Sequence, residues 1–193
     1  MSAKFGFKRL TIRILDSSEP TLDTNLFVIE GKEGKGATQT AKISGLSTDP
    51  IKTYGSDVAY YTSRKGVGDV KVDLGLIDVP ETVLNKILGY KEINGITVVG
   101  AETEAPYCSI IIESTTASGK VCAYGFFKGS FSLNDEELKT IEEKPDGLPT
   151  ENYLFTALAS DKSGFEGVYL GKVIDKEEDA LTKLKQAVSV ASE

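Results

Sequence analysis

The sequence has no histidine and no tryptophan, and among its 193 residues are only two cysteines, one methionine and six prolines. Each shortage removes a class of chemistry. Without histidine there is no Ser-His-Asp or Cys-His nucleophile, and most zinc and iron site designs lose their usual ligand. The two cysteines, Cys108 and Cys122, are too few for a disulfide framework. They fall near one another on a ribbon, yet in a chain read as folding in a reducing cytosol they read as buried thiols. No apolar run approaches the roughly 20 residues that span a bilayer. The start, Met1-Ser2-Ala3-Lys4-Phe5-Gly6, lacks the hydrophobic core of a signal peptide, so synthesis and folding in a cytosol are expected, with no membrane partner.

Positive charge is also in short supply. Twenty-two Lys and Arg stand against 29 Asp and Glu, for a net charge of −7. That balance excludes nucleic-acid binding by broad charge neutralisation, because only short basic groups such as Lys8-Arg9 and Arg64-Lys65 interrupt it. The glycine-rich Gly31-Lys-Glu-Gly-Lys-Gly36 is not a phosphate loop: Gly36 is followed by Ala37-Thr38 where a Walker motif needs Lys-Ser/Thr. It reads as a hairpin tip or connecting arm. No Asp-rich loop has calcium spacing. Glu136-Glu137 and Glu142-Glu143 are the densest carboxylates, but neighbours on a strand point to opposite faces and cannot act as an acid/base pair. The reading assigns no catalytic, cofactor-binding or metal-binding residue.

What is present is β pattern. Nineteen glycines and abundant Thr and Val favour strands. Leu10, Ile12 and Ile14 alternate with Arg9, Thr11 and Arg13 over 6–15, a first strand. Short strands follow at 26–30 and 37–43. Residues 57–63 and 69–78 read as a ribbon turned at 64–68, with Val70, Val72, Leu74 and Leu76 on its dry face. The period then changes. Pro80 at the first helical position, Glu81 near the positive end of the dipole, the stripe Val83, Leu84, Ile87 and Leu88, and Gly89 as a stop predict a short helix. A short strand at 96–99 follows the Asn94-Gly95 turn.

The longest alternation is Ala105 to Leu133. Residues 107–114, a turn at 115–119 and a strand to Leu133 make a hairpin. Val121, Ala123, Gly125, Phe127, Gly129, Phe131 and Leu133 form a predicted dry face, with Lys120, Cys122, Tyr124, Phe126, Lys128, Ser130 and Ser132 opposite. A bulge or tight turn is expected at Asn134-Asp135. Residues 152–159 and 165–174 read as a last hairpin turned at 161–164. Asp175 and Glu178 have capping-box spacing ahead of a C-terminal helix carrying Ala180, Leu181, Leu184, Ala187, Val188 and Ala191. The whole is expected to be one domain, 1–193, with loops or arms around 16–25, 31–36, 64–68 and 143–151. Long ribbons with open edges are an aggregation hazard unless copies pair edge to edge, which points to a self-assembling structural protein. An alternative is a β-sandwich adhesion or carbohydrate-binding module using Tyr60, Tyr61, Tyr124 and Phe126.

Three short motifs go beyond generic patterning: Gly6-Phe7-Lys8-Arg9-Leu10, Ala105-Pro106-Tyr107 and Lys128-Gly129-Ser130-Phe131-Ser132-Leu133. In this order and spacing they resemble the major tail proteins of long, non-contractile-tailed phages of Gram-positive bacteria, the phi13 type. The resemblance implies a tail tube subunit in the virion, mainly β with flanking helices (α+β), a β-sandwich or half-barrel closed by a C-terminal helix. It also implies six-membered rings that stack around a tape measure protein, between tail terminator and distal tail proteins, with genomic DNA passing non-specifically through the bore. It carries over no catalytic residue and no cofactor, and no further C-terminal domain is expected.

Overall fold

The computed structural model describes residues 4–63, 66–138, 140, 148–176 and 178–191. An antiparallel sheet dominates. Its path begins with β2 (Leu26–Ile29), β1 (Lys4–Ile14) and β9 (Cys108–Thr116), then β10 (Val121–Ser132), and continues through β11 (Glu151–Leu158) and β6 (Lys71–Ile77) to β3 (Ala37–Ser44). An eighth strand, β12 (Leu170–Lys176), pairs with β10. The predicted mainly-β class with flanking helices is what forms, with a helix at the C-terminal end.

Strand β10 is the hinge of this architecture. Its first half pairs with β12 and its second half with β11, so the two later strands share one edge of β10 and never pair with each other. The expected 152–174 hairpin is therefore not made. Between Phe126 and Gly129 the β9–β10 register shifts. The extra residue of such a bulge reverses which parity faces inward and bends the strand. Tyr124 and Phe126 pack on the main core before it, and Phe131 does so after it, whereas Ala123 and Phe127 belong to a second cluster. The phase change expected at Asn134-Asp135 thus sits inside the strand, at Phe127-Lys128. The predicted dry and wet faces do not exist as such: Cys122 and Phe126, placed on the wetter side, are fully buried.

The bend divides the sheet into two halves whose inner faces enclose the main core. Leu10, Ile12, Phe27, Ile29, Ile110 and Ile112 come from one half, and Val72, Leu74, Leu76, Tyr153, Phe155 and Phe131 from the other. Phe155 makes T-shaped contacts with both Phe126 and Phe131, at 5.9 and 5.0 Å between ring centroids, an arrangement aromatic quadrupoles favour. Helix α1 (Glu81–Leu88) adds Ile87 and Leu88 to this core. Pro80 takes the N-cap, one place earlier than expected, and Gly89 closes the helix in the left-handed region at φ 73°. A Cβ there would also lie 2.0 Å from the Glu104 carbonyl oxygen, so only glycine fits.

Helix α2 (Glu178–Ala187) covers the outer face of the first half. Leu184 and Val188 lie over a floor made by the register partners Gly125 and Gly171, whose missing side chains provide the space. Lys162 Nζ donates to the carbonyls of Gln186 and Ala187, both at 3.0 Å, fastening the helix C-terminus. Asp175 lies in β12, and its side chain, on which the expected capping box depends, lies outside what is described. The Glu142-Glu143 run and most of the 143–151 loop lie outside the described residues.

The predicted 57–78 ribbon is also replaced. Strand β5 (Val58–Ser63) pairs with β4 (Ile51–Gly55), a strand not foreseen, whereas β6 pairs with β3 and β11. The 31–36 segment joins β2 to β3, the two terminal strands of the sheet path, so it is a connection and not a hairpin tip. A second small hairpin, β7 (Lys91–Ile93) with β8 (Ile96–Val98), is tied to α1 through Thr97, which donates to Glu81 at 2.8 Å and accepts from Asn85 at 3.0 Å.

Candidate assembly surface

Three surfaces remain open once the core and α2 are in place. The first is the β4–β5 arm, a ribbon with no strand partner beyond itself among the described residues. Ser56 and Asp57 both take positive φ, 52° and 64°, the geometry of a tight two-residue hairpin turn. The arm displays large apolar groups: Tyr54, Val58, Tyr60 and Tyr61 are all exposed, Tyr60 by 85%. The turn expected at 64–68 begins at Arg64 and Lys65, which lie outside the described residues.

The second is the outer face of the sheet's other half. Register places Thr40 beside Gly75, Lys42 and Leu154 beside Asp73, and Thr156 between Lys71 and Ser130. These side chains are exposed or half-buried and largely polar, with charges of both signs. Neither α1 nor α2 covers them. The third is the free edge of β2, flanked by two grooves of about 330 and 310 Å³.

Several ionised groups are tied up in structure. Lys32 and Arg9 hold the Glu30 carboxyl below its ordinary range, Arg9 binding it at 2.6 Å. Glu113 receives Lys185 of α2 at 2.8 Å, which clips the helix to β9. At Asp16 partial desolvation acts upward, but the Asn25 amide, the Ser18 N–H and Arg13 outweigh it and keep that carboxyl low. Lys128 bonds Asp161 at 2.6 Å and lowers its pKa as well; the same ammonium lies 4.8 Å from the centre of the Tyr107 ring. Burial pushes the Cys108 thiol up to about 12, far from nucleophilic use. Cys108 lies opposite Gly129 and Cys122 opposite Ser114, too far apart along the ribbon to be bridged, and both are free.

The aromatic platform weighed for a carbohydrate-binding module is not assembled. Tyr60 and Tyr61 stand on the arm, Phe126 is fully buried and Tyr124 packs against the main core. Glu136 and Glu137 follow the end of β10 in an exposed, irregular stretch. Among the described residues no three Cys, Asp or Glu side chains gather as metal ligands, and no helix is long and apolar enough to cross a membrane. The arm's isolation is not legible in the sequence; the adjacent aromatic pair Tyr60-Tyr61 is its one signal, and the register shift between Thr53 and Tyr54 leaves Tyr60 without a strand partner.

A bent antiparallel sandwich with an unpartnered ribbon and open strand edges is the form of an assembly subunit. A family model described as phage tail tube protein matches residues 3–180, and the chain belongs to that family. The family places it in the tail of the virion, as a structural component. No curated protein gives a significant match.

Proposed function

We propose that this chain polymerises as stacked rings, six copies to a ring, into a tail tube that conducts the genome during ejection. The observation that carries this reading is the β4–β5 arm, four exposed large apolar side chains on a ribbon with no strand partner beyond itself among the described residues. A neighbouring copy is the partner that a tube subunit always has at hand. Arms reaching neighbours build the polymer; the tape measure protein occupies the growing bore, and terminator and distal tail proteins cap its ends.

The uncovered outer face of β3, β6, β11 and the second half of β10 is assigned to the bore. Its hydroxyls at Thr40, Thr156, Ser130 and Ser132, with Asp73 beside Lys42, offer DNA no array of cations. At −7 per copy, a ring of six carries about −42, so phosphate is repelled and the genome slides. No reaction is assigned: the family is structural and the buried Cys108 thiol is held protonated.

Negative-stain microscopy of the purified protein at rising concentration tests the reading. Rings and tubes with an open bore are expected. A monomer that persists at all concentrations and retains glycans overturns it in favour of an adhesion module. Replacing 51–63 by a short Gly-Ser linker leaves a folded monomer that makes no tubes. Deleting 31–36 instead unfolds the chain, because that segment joins β2 to β3.

A further inference from the structure

Besides the arm, the molecule carries a second exposed apolar ribbon. In the β7–β8 hairpin Ile93 pairs with Ile96 across Asn94-Gly95, whose φ values of 53° and 77° make a tight two-residue turn. Thr97 bonds to Glu81 and Asn85, so the Glu92–Thr97 rung faces α1. Alternation then turns Ile93 and Ile96, with Lys91, to the other face. There the two isoleucines stand 55% and 64% exposed. The arm has an apolar face of its own. The register shift makes Tyr60 the extra residue of a bulge, which puts it on the same face as Tyr61. Val58, the partner of Gly55, shares that face, and a Cβ on Gly55 would lie 3.7 Å from the Tyr60 Cβ.

The topology sets these two ribbons at opposite ends of one ladder. Ser44 pairs with Lys71 at one end of β3–β6, and Ala37 with Ile77 at the other. The arm leaves from the first end, through a neck where Gly68 N–H donates to Gly45 O at 2.9 Å. Helix α1 starts beyond the second end, and the hairpin doubles back along it to bring Thr97 against Glu81, its first residue. Apolar surfaces at the two ends of a chain meet when copies stack in one direction, a head-to-tail contact that propagates without closing. Charge agrees: the arm's turn carries the exposed Asp57, and the isoleucine face carries the exposed Lys91. Area points to a polymer over an isolated pair. Two buried tyrosines remove about 300–500 Å² from water, short of the roughly 800 Å² per partner of a stable pair, whereas in a stack every copy gives one contact and receives another.

We propose that the Tyr60–Tyr61 face of the arm packs, ribbon on ribbon, against the Ile93–Ile96 face of the β7–β8 hairpin of a second copy stacked on the first. This rests on reading the chain as a tube subunit and names the acceptor for its arm. Two double variants test it from opposite sides. Tyr60→Thr with Tyr61→Thr strips the donor face, and Ile93→Thr with Ile96→Thr strips the acceptor. Both change only side chains that are more than half exposed, and both keep a residue suited to strands.

Each variant is expected to stay folded by circular dichroism and to need at least about tenfold more protein to assemble in sedimentation velocity. Mixed in equal parts, they form complexes that contain both and then stop growing. The isoleucine variant still supplies an arm and the tyrosine variant still offers a hairpin, but the series of contacts ends after one step. Tyr61→Cys with Ile96→Cys in one chain gives a ladder of linked multimers with a short bis-maleimide, where either single cysteine gives dimers at most; Cys108 and Cys122 are buried and stay silent. Normal tubes from the isoleucine variant, a mixture no larger than its components, or cross-links that stop at dimers overturn this docking while leaving the tube reading intact. Should the isoleucine variant lose its fold, the ladder decides alone. Wild-type protein that forms no tubes overturns the tube reading itself.

Discussion

The two halves of the sheet, divided at the bulge in β10, share one core and differ in what lies outside it. The first half (β2, β1, β9, β12 and the start of β10) has α2 on its outer face, with Ile111, Ala123, Phe127 and Val173 packed beneath Leu184 and Val188. The second half (β11, β6, β3 and the end of β10) leaves Lys71, Asp73, Thr156 and Ser130 to solvent or to a neighbour. A strand buried on both faces serves stability; one buried on a single face keeps the other for an interface. In this molecule the covered face serves stability and the bare face, proposed above to line the bore, contributes little to it, so substitutions on the two faces should separate folding from tube function.

The sharpest break lies at the junction itself. A Cβ at Gly129 would stand 2.4 Å from the Phe155 ring and 2.5 Å from the Thr156 carbonyl oxygen. Gly129→Ala is expected to lower stability by about 3 kcal/mol in chemical denaturation, the upper range for overpacking, because backbone as well as side chain blocks it. Leu184→Ala, which empties the space above Gly125 and Gly171, should cost about 2–3 kcal/mol and raise hydrogen exchange first in α2. An unchanged α2 protection pattern would show that the helix is held mainly by Lys162 and Lys185 and not by packing.

A smaller effect comes from acid. Glu30 and Asp161 have folded-state pKa values below their ordinary 4.5 and 3.8. A depressed carboxyl contributes stability that is present above its unfolded value and is lost as pH falls through the folded one. The melting temperature should accordingly drop below about pH 4, and Glu30→Gln should flatten that decline. Smallest for the monomer is Asp73→Asn on the bare face, expected within about 0.5 kcal/mol of wild type. Asp73→Lys paired with Thr156→Lys should leave folding intact yet make assembled tubes retain DNA in a filter assay; tubes that still release DNA freely would remove this face from the bore.

Most strands, α1 and α2 were legible, because alternation of period two and a stripe of period 3.6 follow from the backbone alone. Partners were not. By sequence, residues 57–63 and 69–78, like 152–159 and 165–174, form hairpins, because strands adjacent in sequence usually pair. Instead β6 turned to β3 and β11, and β11 and β12 divided β10 between them. The bulge escaped notice because both residues of Phe126-Phe127 are large and apolar, so the change of phase leaves no polar residue out of place. Strand β4 leaves a similarly faint mark: it pairs only within its own arm, and residues 52–55 are all exposed, with no alternation of burial to give a pattern.

By itself the sequence determined that this is an acidic, histidine-free β protein, with strands and helices at nearly the observed places and with motifs resembling those of tail tube proteins. Those are properties of residue type and local spacing, set by backbone geometry and composition. Only the tertiary structure decided which face of each strand is covered, which edge is open and that the arm stands alone. Periodicity tells that two faces differ; what lies against each depends on contacts between residues far apart in the chain, such as Leu184 over Gly125 or Tyr153 in the core opposite Ile112.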